Sequence, residues 1–346
     1  MLQEIEEKLR SMRSVDREEV SWLYHQGKLE DLGRLANIVR DRYHGPDQVT
    51  YLKMSIINFT NICVAGCDYC AFYVWPHEKG GYLLSFLEIC KRIEKHEQLG
   101  GTLVGFNSGF NPELTIDRYV DLFKKIHHRF PRLIFFEMTV AEFMFACHIS
   151  KVSYEQGARL FKEAGVQWIT GGGAEVLDEQ FRKRHSPGKF SVKKYLIAQR
   201  AIIDAGIGST ATMVIGFDES IDERLNHLEQ LRNFQESLQQ KLPSFLCWVY
   251  KPMNNRLGGK EIALEEYLKW LAICRIYLTN FKHIRTSVLT KNEGALKGLD
   301  YGADDFDLPL EDEVTEKAGA TISSDFDCIL LACKNNGYNP VMRQPF

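Results

Sequence analysis

The chain has 346 residues, 45% of them hydrophobic and 26% charged, and this length is long for one domain unless that domain is a barrel. The formal net charge is −3 and no block of lysine or arginine occurs, so the composition gives no sign of a nucleic-acid partner. No charged-then-apolar segment opens the chain, and no apolar run approaches the ~20 residues that span a bilayer. We therefore expect a cytoplasmic protein that binds neither nucleic acid nor membrane.

The first 49 residues show apolar positions at helical spacing. Ile5, Leu9 and Met12 recur at helical intervals, Ser14 to Glu19 resembles a helix cap, and Leu29 to Val39 continue the apolar stripe. We expect residues 1–49 to form a helical extension that packs on the main domain as a cover and is not a domain of its own.

Strand-like and helix-like segments alternate through the rest of the chain. The predicted strands are residues 50–60, 102–107, 133–139, 166–170, 209–215, 244–250 and 284–289. The predicted helices between them include 116–130, 154–164, 192–205, 221–238 and 264–281, with another that begins at a Ser85 cap. This repetition favours an α/β fold, a full or nearly full (β/α) barrel of the TIM type over residues 50–346. In such barrels the chemistry lies at the carboxyl ends of the strands.

Three cysteines, Cys63, Cys67 and Cys70, follow the first predicted strand in the spacing C-x3-C-x2-C. Gly66 between them allows a tight turn, so the three thiols can converge on one loop. Three thiolates can hold an iron–sulfur cubane and leave its fourth iron open to a small molecule. A structural zinc site would need a fourth ligand, for which His77 is the nearest candidate, and disulfides are a third interpretation. The other six cysteines lie among apolar neighbours, as buried free thiols do.

The residues around this motif resemble the radical S-adenosylmethionine (SAM) superfamily. Tyr69 stands just before the last cysteine, and Ala71-Phe72 just after it. The resemblance implies a radical SAM barrel whose cysteines hold a [4Fe–4S] cluster, with the amino and carboxylate groups of SAM on the fourth iron, and with Tyr69 and Phe72 beside the cofactors. It also implies reductive cleavage of SAM to a 5′-deoxyadenosyl radical, for which a donor such as flavodoxin or ferredoxin supplies the electron.

Three predicted strand ends resemble SAM-binding segments of that superfamily. Asn107, Ser108 and Gly109 stand where members usually carry a Gly-Gly pair that lets backbone approach the SAM amino group. The run from Gly171 to Glu175 resembles the segment whose glutamate binds the SAM ribose, although glycine-rich strand-to-helix loops are common without a ligand. Glu219 resembles a position beside the adenine, or it only begins the helix that follows.

Wider stretches narrow the resemblance to the radical SAM enzymes of the futalosine route to menaquinone. They are residues 57–63, 70–73, 77–82, 171–175, 182–187, 210–213 and 302–305. The cyclic dehypoxanthinyl futalosine synthase group resembles the chain most, with aminofutalosine and deazaflavin (FO) synthases as sister groups. The resemblance implies a small-molecule substrate, dehypoxanthine futalosine, whose ribose C4′ loses hydrogen to the adenosyl radical and then bonds to the benzoate ring. A sister activity on another substrate and a zinc-stabilised binding module are the alternatives.

The benzoate carboxylate of such a substrate needs a cation or a cluster of donors. Arg182, Arg184, His185 and Lys189 form one basic segment that can supply it, and Arg256 is another candidate. Such clusters also occur on solvated helix faces, which is the alternative interpretation of this segment.

Further candidates concern the aromatic ring of the substrate. Trp75 follows Val74, where family members usually carry an arginine, and it can stack on a flat ring or pack against the cysteine loop. Loss of the ring proton needs a base, for which Glu137, Glu142 and His148 are candidates by their position after the third strand. His148 is equally typical of a core histidine.

Overall fold

In the computed structural model the described residues are 1–323 and 325–344, and they begin with three helices. These are α1 (Leu2–Arg10), α2 (Arg17–Gln26) and α3 (Leu29–Arg40). The cap before α2 is a capping box, in which Asp16 accepts from the Glu19 N–H at 2.9 Å and the Glu19 carboxylate accepts from the Asp16 N–H at 3.0 Å. Ile5 and Leu9 are buried, but the expectation for Met12 is wrong: α1 ends before it, and its side chain is 78% exposed.

Ten parallel strands occur in the described residues, and nine of them form the wall of a barrel. They are β1 (Gln48–Ile57), β2 (Leu103–Phe106), β3 (Ile134–Thr139), β4 (Trp168–Thr170), β5 (Gly208–Ser209), β6 (Ala211–Ile215), β7 (Ser244–Val249), β8 (His283–Thr286), β9 (Asp305–Asp312) and β10 (Asn339–Met342). The wall follows the order β5-β4-β3-β2-β1-β9-β8-β7-β6, and β10 pairs with the first residues of β1. Only Thr210 separates β5 from β6, so these two segments close the ring as one strand. The predicted (β/α) barrel is confirmed.

The connecting helices lie outside the strands and bury their apolar faces against them. They are α4 (Phe86–Gln98), α5 (Ile116–Arg129), α6 (Val140–Ser150), α7 (Tyr154–Glu163), α8 (Glu179–His185), α9 (Val192–Asp204), α10 (Ile221–Ser237), α11 (Leu264–Tyr277), α12 (Val288–Lys291), α13 (Glu313–Lys317) and α14 (Phe326–Asn335), with a 3-10 helix over Asn292–Tyr301. The predicted Ser85 cap is confirmed, since the Ser85 hydroxyl accepts from the Glu88 N–H. None of the helices formed by the described residues is long and apolar enough to cross a membrane.

The structure corrects the sequence analysis around the last two barrel strands. The strand predicted over 284–289 ends at Thr286, because Ser287 caps the short helix α12 by accepting from the Thr290 N–H at 3.3 Å. Strand β9 was not predicted at all, since its sequence contains four acids and Pro309. The register between β1 and β9 shifts beside Pro309, and such an irregularity lets a parallel strand accommodate a residue without an N–H.

A buried histidine on α10, His227, is expected to make the fold sensitive to acid. The Nδ1 atom of His227 accepts from the Leu177 N–H at 2.8 Å, and burial lowers the pKa of His227 to about 3. A histidine in the unfolded chain has a pKa of about 6.5, so the stability linked to neutral His227 is present above pH 6.5 and is lost as the pH falls toward 3. The loss between pH 7 and pH 5 is about 2 kcal/mol.

Urea unfolding at pH 7 and pH 5 measures this effect. His227→Asn is the matched variant, because the asparagine oxygen can accept from the same Leu177 N–H but takes up no proton. The free energy of unfolding should fall by about 2 kcal/mol less in the variant than in the wild type. Equal falls in the two proteins would show that His227 is not the acid-sensitive group.

Candidate active site

The three motif cysteines lie on the loop that leaves β1 and line a single cavity at the carboxyl end of the barrel. This upper cavity has a volume of about 230 Å³ and is bordered by Cys63, Cys67 and Cys70. Gly66 takes a φ of +59°, and a Cβ atom there would lie 2.8 Å from the Trp75 ring, so both the turn and the close packing favour glycine. All three cysteines are free thiols, which excludes the disulfide interpretation.

The spacing of the sulfurs fits an iron–sulfur cluster better than a single zinc ion. Four sulfurs on one tetrahedral zinc at ~2.3 Å lie about 3.8 Å apart. In the described part of the chain, the motif cysteines are not among the groups of ligand atoms that lie within 4.8 Å of one another. His77, the proposed fourth zinc ligand, is exposed and does not border the cavity. Three separated soft ligands around one cavity match a cubane with an open corner.

Burial keeps the thiols of Cys67 and Cys70 neutral unless a metal is present. Desolvation raises the pKa of Cys67 to about 12 and also raises the pKa of Cys70. A strong positive charge such as iron is therefore needed to make these sulfurs thiolates.

Several predicted substrate residues hold the cysteine loop and do not reach the cavity. His185 Nδ1 lies 3.0 Å from Asp68 Oδ2, and the His185 carbonyl accepts from the Asp68 N–H at 3.1 Å. The Arg256 guanidinium donates to the Gly66 carbonyl at 2.6 Å. Trp75 packs on Gly66 and is 40% exposed. These contacts support the packing interpretation of Trp75.

The two predicted arginines of α8 have structural partners. Arg182 is buried and donates to the carbonyl groups of Gly173 at 3.2 Å and Ala174 at 3.0 Å, and so it fixes the glycine-rich turn after β4. Arg184 pairs with Glu223 at 2.7 Å at the surface. Neither arginine borders the upper cavity. Of the basic segment predicted to bind the carboxylate, only Lys189 borders it.

The glycine-rich turn brings Glu175 into the cavity beside Lys189. Gly173 has a φ of +86°, and a Cβ atom there would lie 2.1 Å from the Ala141 Cβ, so the turn needs glycine. Glu175 Oε1 accepts from Lys189 Nζ at 2.8 Å, while Glu175 Oε2 is buried without a hydrogen-bond partner. Burial alone would lower the pKa of Lys189, but the negative charge of Glu175 outweighs it and raises this pKa. The orphaned oxygen is an acceptor for a ligand hydroxyl, as the resemblance to a ribose-binding glutamate requires.

The turn after β2 also borders the cavity, and Glu142 holds it. Asn107, Ser108 and Gly109 line the cavity, and the Ser108 N–H donates to Glu142 Oε1 at 3.0 Å. Glu142 Oε2 accepts from both the N–H and the hydroxyl of Thr139, at 3.0 and 2.7 Å. Burial raises the pKa of Glu142 to about 7. With three donors engaged, Glu142 positions the turn after β2.

Gly109 allows the chain to pass directly behind Cys63, and its replacement is expected to disturb the cluster. A Cβ atom at residue 109 would lie 2.3 Å from the Ile62 carbonyl oxygen and 2.7 Å from the Cys63 Cβ. Both are closer than real Cβ contacts, so Gly109→Ala should displace Cys63 and lower the iron content of the purified protein at least about 10-fold. Iron and sulfide analysis measures this, with Gly45→Ala as control because a Cβ there lies no closer than 3.6 Å to another part of the chain. Full iron content in Gly109→Ala would contradict it.

The other two predicted bases do not reach the cavity. Glu137 lies within β3, where its carboxylate accepts from the N–H groups of Gln167 and Trp168 at 3.0 Å each and lies 2.9 Å from His127 Nε2. It therefore ties β3 to β4 and α5. His148 is exposed in the last turn of α6. The sequence placed both residues after β3, but neither side chain is directed toward the upper cavity.

Glu219 forms a buried ion pair and does not border the cavity, and its Oε2 atom is buried without a hydrogen-bond partner. Its Oε1 accepts from Arg224 Nε and from the Gly216 N–H, both at 2.7 Å. The neighbouring Phe217 borders the cavity instead, 5.0 Å from Tyr69 and 4.6 Å from Tyr250 between ring centroids. These rings offer a flat apolar surface to a base.

Sequence reasoning missed the cavity residues that come from the last barrel strands. Phe72 and Tyr69 border the cavity as predicted. The unpredicted residues that border it include Trp248, Tyr250, Lys251, Thr290, Asp312 and Thr315. Their position at or just after the carboxyl ends of β7 and β9, or on α12 and α13, was the signal that could have found them. Asp312 is buried, and burial raises its pKa to about 7.

Comparisons with protein families agree with this site. The Radical SAM superfamily model matches residues 57–231, and a CofH/MqnC C-terminal region matches residues 241–345. The chain is 35% identical over 324 residues to a cyclic dehypoxanthine futalosine synthase of Halalkalibacterium halodurans, covering 93% of this chain and 87% of the relative. It is 36% identical over 333 residues to the synthase of that name in Streptomyces coelicolor, covering 94% of this chain and 83% of the relative. An aminodeoxyfutalosine synthase of Thermus thermophilus is 33% identical over 325 residues, covering 91% and 86%.

Solved structures show the same fold at low sequence identity. The crystal structure of methylornithine synthase (PylB) gives a TM-score of 0.74 with 16% identity and covers 97% of each chain. The hydrogenase maturase HydG gives a TM-score of 0.73 with 16% identity. The match covers 98% of this chain and 75% of the HydG chain. The family implies a [4Fe–4S] cluster and SAM, which the three cysteines and the free Glu175 oxygen fit. The chain therefore belongs to the radical SAM superfamily of enzymes, in the group that carries the CofH/MqnC C-terminal region.

Proposed function

We propose that the protein is a radical SAM cyclase that converts dehypoxanthine futalosine to its cyclic form in menaquinone biosynthesis. The observation that carries the proposal is the upper cavity, in which the cysteine loop, the turn after β2 and Glu175 face one space. Two relatives named cyclic dehypoxanthine futalosine synthase, similar to this chain over nearly its whole length, support the choice of reaction.

The cysteines, the turn after β2 and Glu175 have separate tasks in this reaction. When bound, the cluster and SAM supply the 5′-deoxyadenosyl radical that takes hydrogen from the substrate. Cys63, Cys67 and Cys70 hold the cluster, and the free oxygen of Glu175 accepts from a ribose hydroxyl of SAM. The backbone at Ser108 and Gly109 allows a polar group of SAM to come close. Together these contacts fix the adenosyl carbon relative to the substrate.

The remaining cavity residues orient the substrate and accept a proton. Phe217 and Tyr250 exclude water from the side of the cavity where they lie. The ring radical formed when the ring bonds to C4′ must lose a proton and an electron to become aromatic again. The electron would return to the cluster, and two buried acids that border the cavity can take the proton. Glu142 is committed to the turn after β2 and to Thr139, whereas Asp312 accepts from its near neighbour Thr315, so Asp312 is the proton acceptor we propose. A flavodoxin or ferredoxin is the electron donor we propose.

Anaerobic incubation of the reconstituted protein with SAM, dithionite and dehypoxanthine futalosine tests the proposal. Mass spectrometry should show a product two hydrogens lighter than the substrate, as a cyclisation requires. Unchanged substrate beside 5′-deoxyadenosine would reject this substrate. A product that carries an added adenosyl group would point to the chemistry of the sister synthases, such as the relative from Thermus thermophilus.

A further inference from the structure

A second cavity lies inside the barrel, directly below the upper cavity. This lower cavity has a volume of about 50 Å³ and shares Asn107, Thr139, Gly172 and Trp248 with the upper one, so the two adjoin each other. Ser244 and Trp248, both on β7, border it at opposite ends. Four residues of strand span about 13 Å, so the lower cavity reaches well down the barrel axis.

A buried arginine stands at the floor of the lower cavity with part of its hydrogen-bonding capacity unused. Arg285 on β8 is 4% exposed and borders the cavity, and its Nη2 atom is buried without a hydrogen-bond partner. Burial lowers the pKa of Arg285, and the charge of Asp305 opposes this effect. Arginine remains charged in proteins, so a buried guanidinium N–H without an acceptor costs free energy. A ligand that accepts a hydrogen bond from this N–H removes the cost.

The counter-charge of Arg285 is shared with a second arginine. Arg285 Nε lies 2.8 Å from Asp305 Oδ2, but the same carboxylate accepts from Arg343 at 2.9 and 2.5 Å and from Thr50 at 2.7 Å. Two guanidinium groups therefore share one carboxylate. The other nearby acid is Asp307, and burial raises its pKa to about 6.

The walls above Arg285 suit an aromatic ring that carries an acid. Phe136, Leu246 and Trp248 supply apolar surface, and Thr212 and Ser244 supply hydroxyl groups near the guanidinium. The volume has room for a carboxylate group but not for a whole nucleoside, so the rest of the ligand must extend into the upper cavity.

We propose that Arg285 binds the carboxylate of an aromatic acid at the floor of the barrel and thereby sets the depth of the substrate. This proposal rests on the proposed function and names the cation that the benzoate of that substrate meets. It replaces Arg182, Arg184 and His185, which border neither cavity. A carboxylate there gives the unpartnered Nη2 an acceptor, and the planar guanidinium can hold both oxygens.

Equilibrium binding by calorimetry tests the proposal, with two pairs of ligands on the full chain under anaerobic conditions. One pair is dehypoxanthine futalosine and its carboxamide analogue, and the other is benzoate and benzamide. The wild type should bind each acid more tightly than its amide, and for dehypoxanthine futalosine the affinity should exceed that of the carboxamide analogue by about 30-fold. Arg285→Gln should remove this preference by weakening acid binding while amide binding stays within about 3-fold. Arg285→Lys should keep only part of it, since lysine lacks the planar fork.

Arg40→Gln is the matched control, because it removes another buried arginine that borders neither cavity and donates to the carbonyl groups of Pro46 and Gln48. It should keep the preference for the acid. Loss of the preference in Arg40→Gln, or its persistence in Arg285→Gln, would overturn the proposal, and so would a wild type that binds acid and amide equally. If Arg285→Gln does not fold, the partial preference of Arg285→Lys decides. Discrimination of benzoate from benzamide through Arg285, without turnover of dehypoxanthine futalosine, would support the site and reject the proposed function.

Discussion

Cys70→Ser is expected to remove the cluster and with it all cleavage of SAM. Cys70 is one of three thiols around the upper cavity, and a cubane needs all three to leave a single iron open. Serine is a hard oxygen ligand with a much higher pKa, so it does not replace a thiolate on iron. Iron and acid-labile sulfide in the anaerobically purified variant should fall far below the wild type, and 5′-deoxyadenosine should not form with SAM and dithionite.

Two controls separate this effect from general damage to the fold. Cys90→Ser changes another buried cysteine that does not border the cavity and should retain the iron, the sulfide and the activity. His77→Ala should also retain them, because this exposed side chain lies outside the cavity. Zinc without sulfide in the wild type, with loss of that zinc in His77→Ala, would reject the cluster and restore the binding-module interpretation.

The features that the sequence predicted correctly are those set by neighbours along the chain. The C-x3-C-x2-C spacing fixes Cys63, Cys67 and Cys70 on one loop whatever the rest of the fold does. The alternation of strands and helices likewise predicted the barrel, because apolar strands and capped helices are local patterns. Strand β9 was missed because its stability comes from pairing with β1 and β8, and its own sequence is poor in strand-forming residues.

The direction of a side chain is what local patterns could not provide. Arg182, His185 and Glu137 have the right chemistry for substrate or base roles, but their partners lie within the protein. Arg182 and Glu137 bind backbone groups, and the His185 ring lies between the carboxylates of Asp68 and Asp218. Arg285 has no sequence motif at all, and its importance depends on Asp305 being shared with Arg343 across the sheet. Charges become interpretable only when the partners that compete for them are known.

Glu175→Gln is expected to weaken both the fold and SAM binding, because Glu175 has two oxygens with different tasks. Oε1 neutralises the buried Lys189 ammonium at 2.8 Å, and Oε2 is free to accept from a ligand. Removing the charge leaves Lys189 unpaired, which should lower the free energy of unfolding by about 3 kcal/mol. SAM affinity should fall at least about 10-fold, because an amide offers a weaker acceptor to a hydroxyl.

The double variant Glu175→Gln/Lys189→Met separates the two tasks. Replacing both members of a buried ion pair by uncharged residues is often neutral, so the free energy of unfolding should return to within about 1 kcal/mol of the wild type. SAM affinity should remain low, since the carboxylate oxygen in the cavity is still missing. Urea unfolding of the cluster-free protein and equilibrium SAM binding to the cluster-loaded protein measure the two effects independently. If the double variant recovered SAM affinity together with stability, Glu175 would act only by neutralising Lys189, and its contact with the cofactor would be rejected.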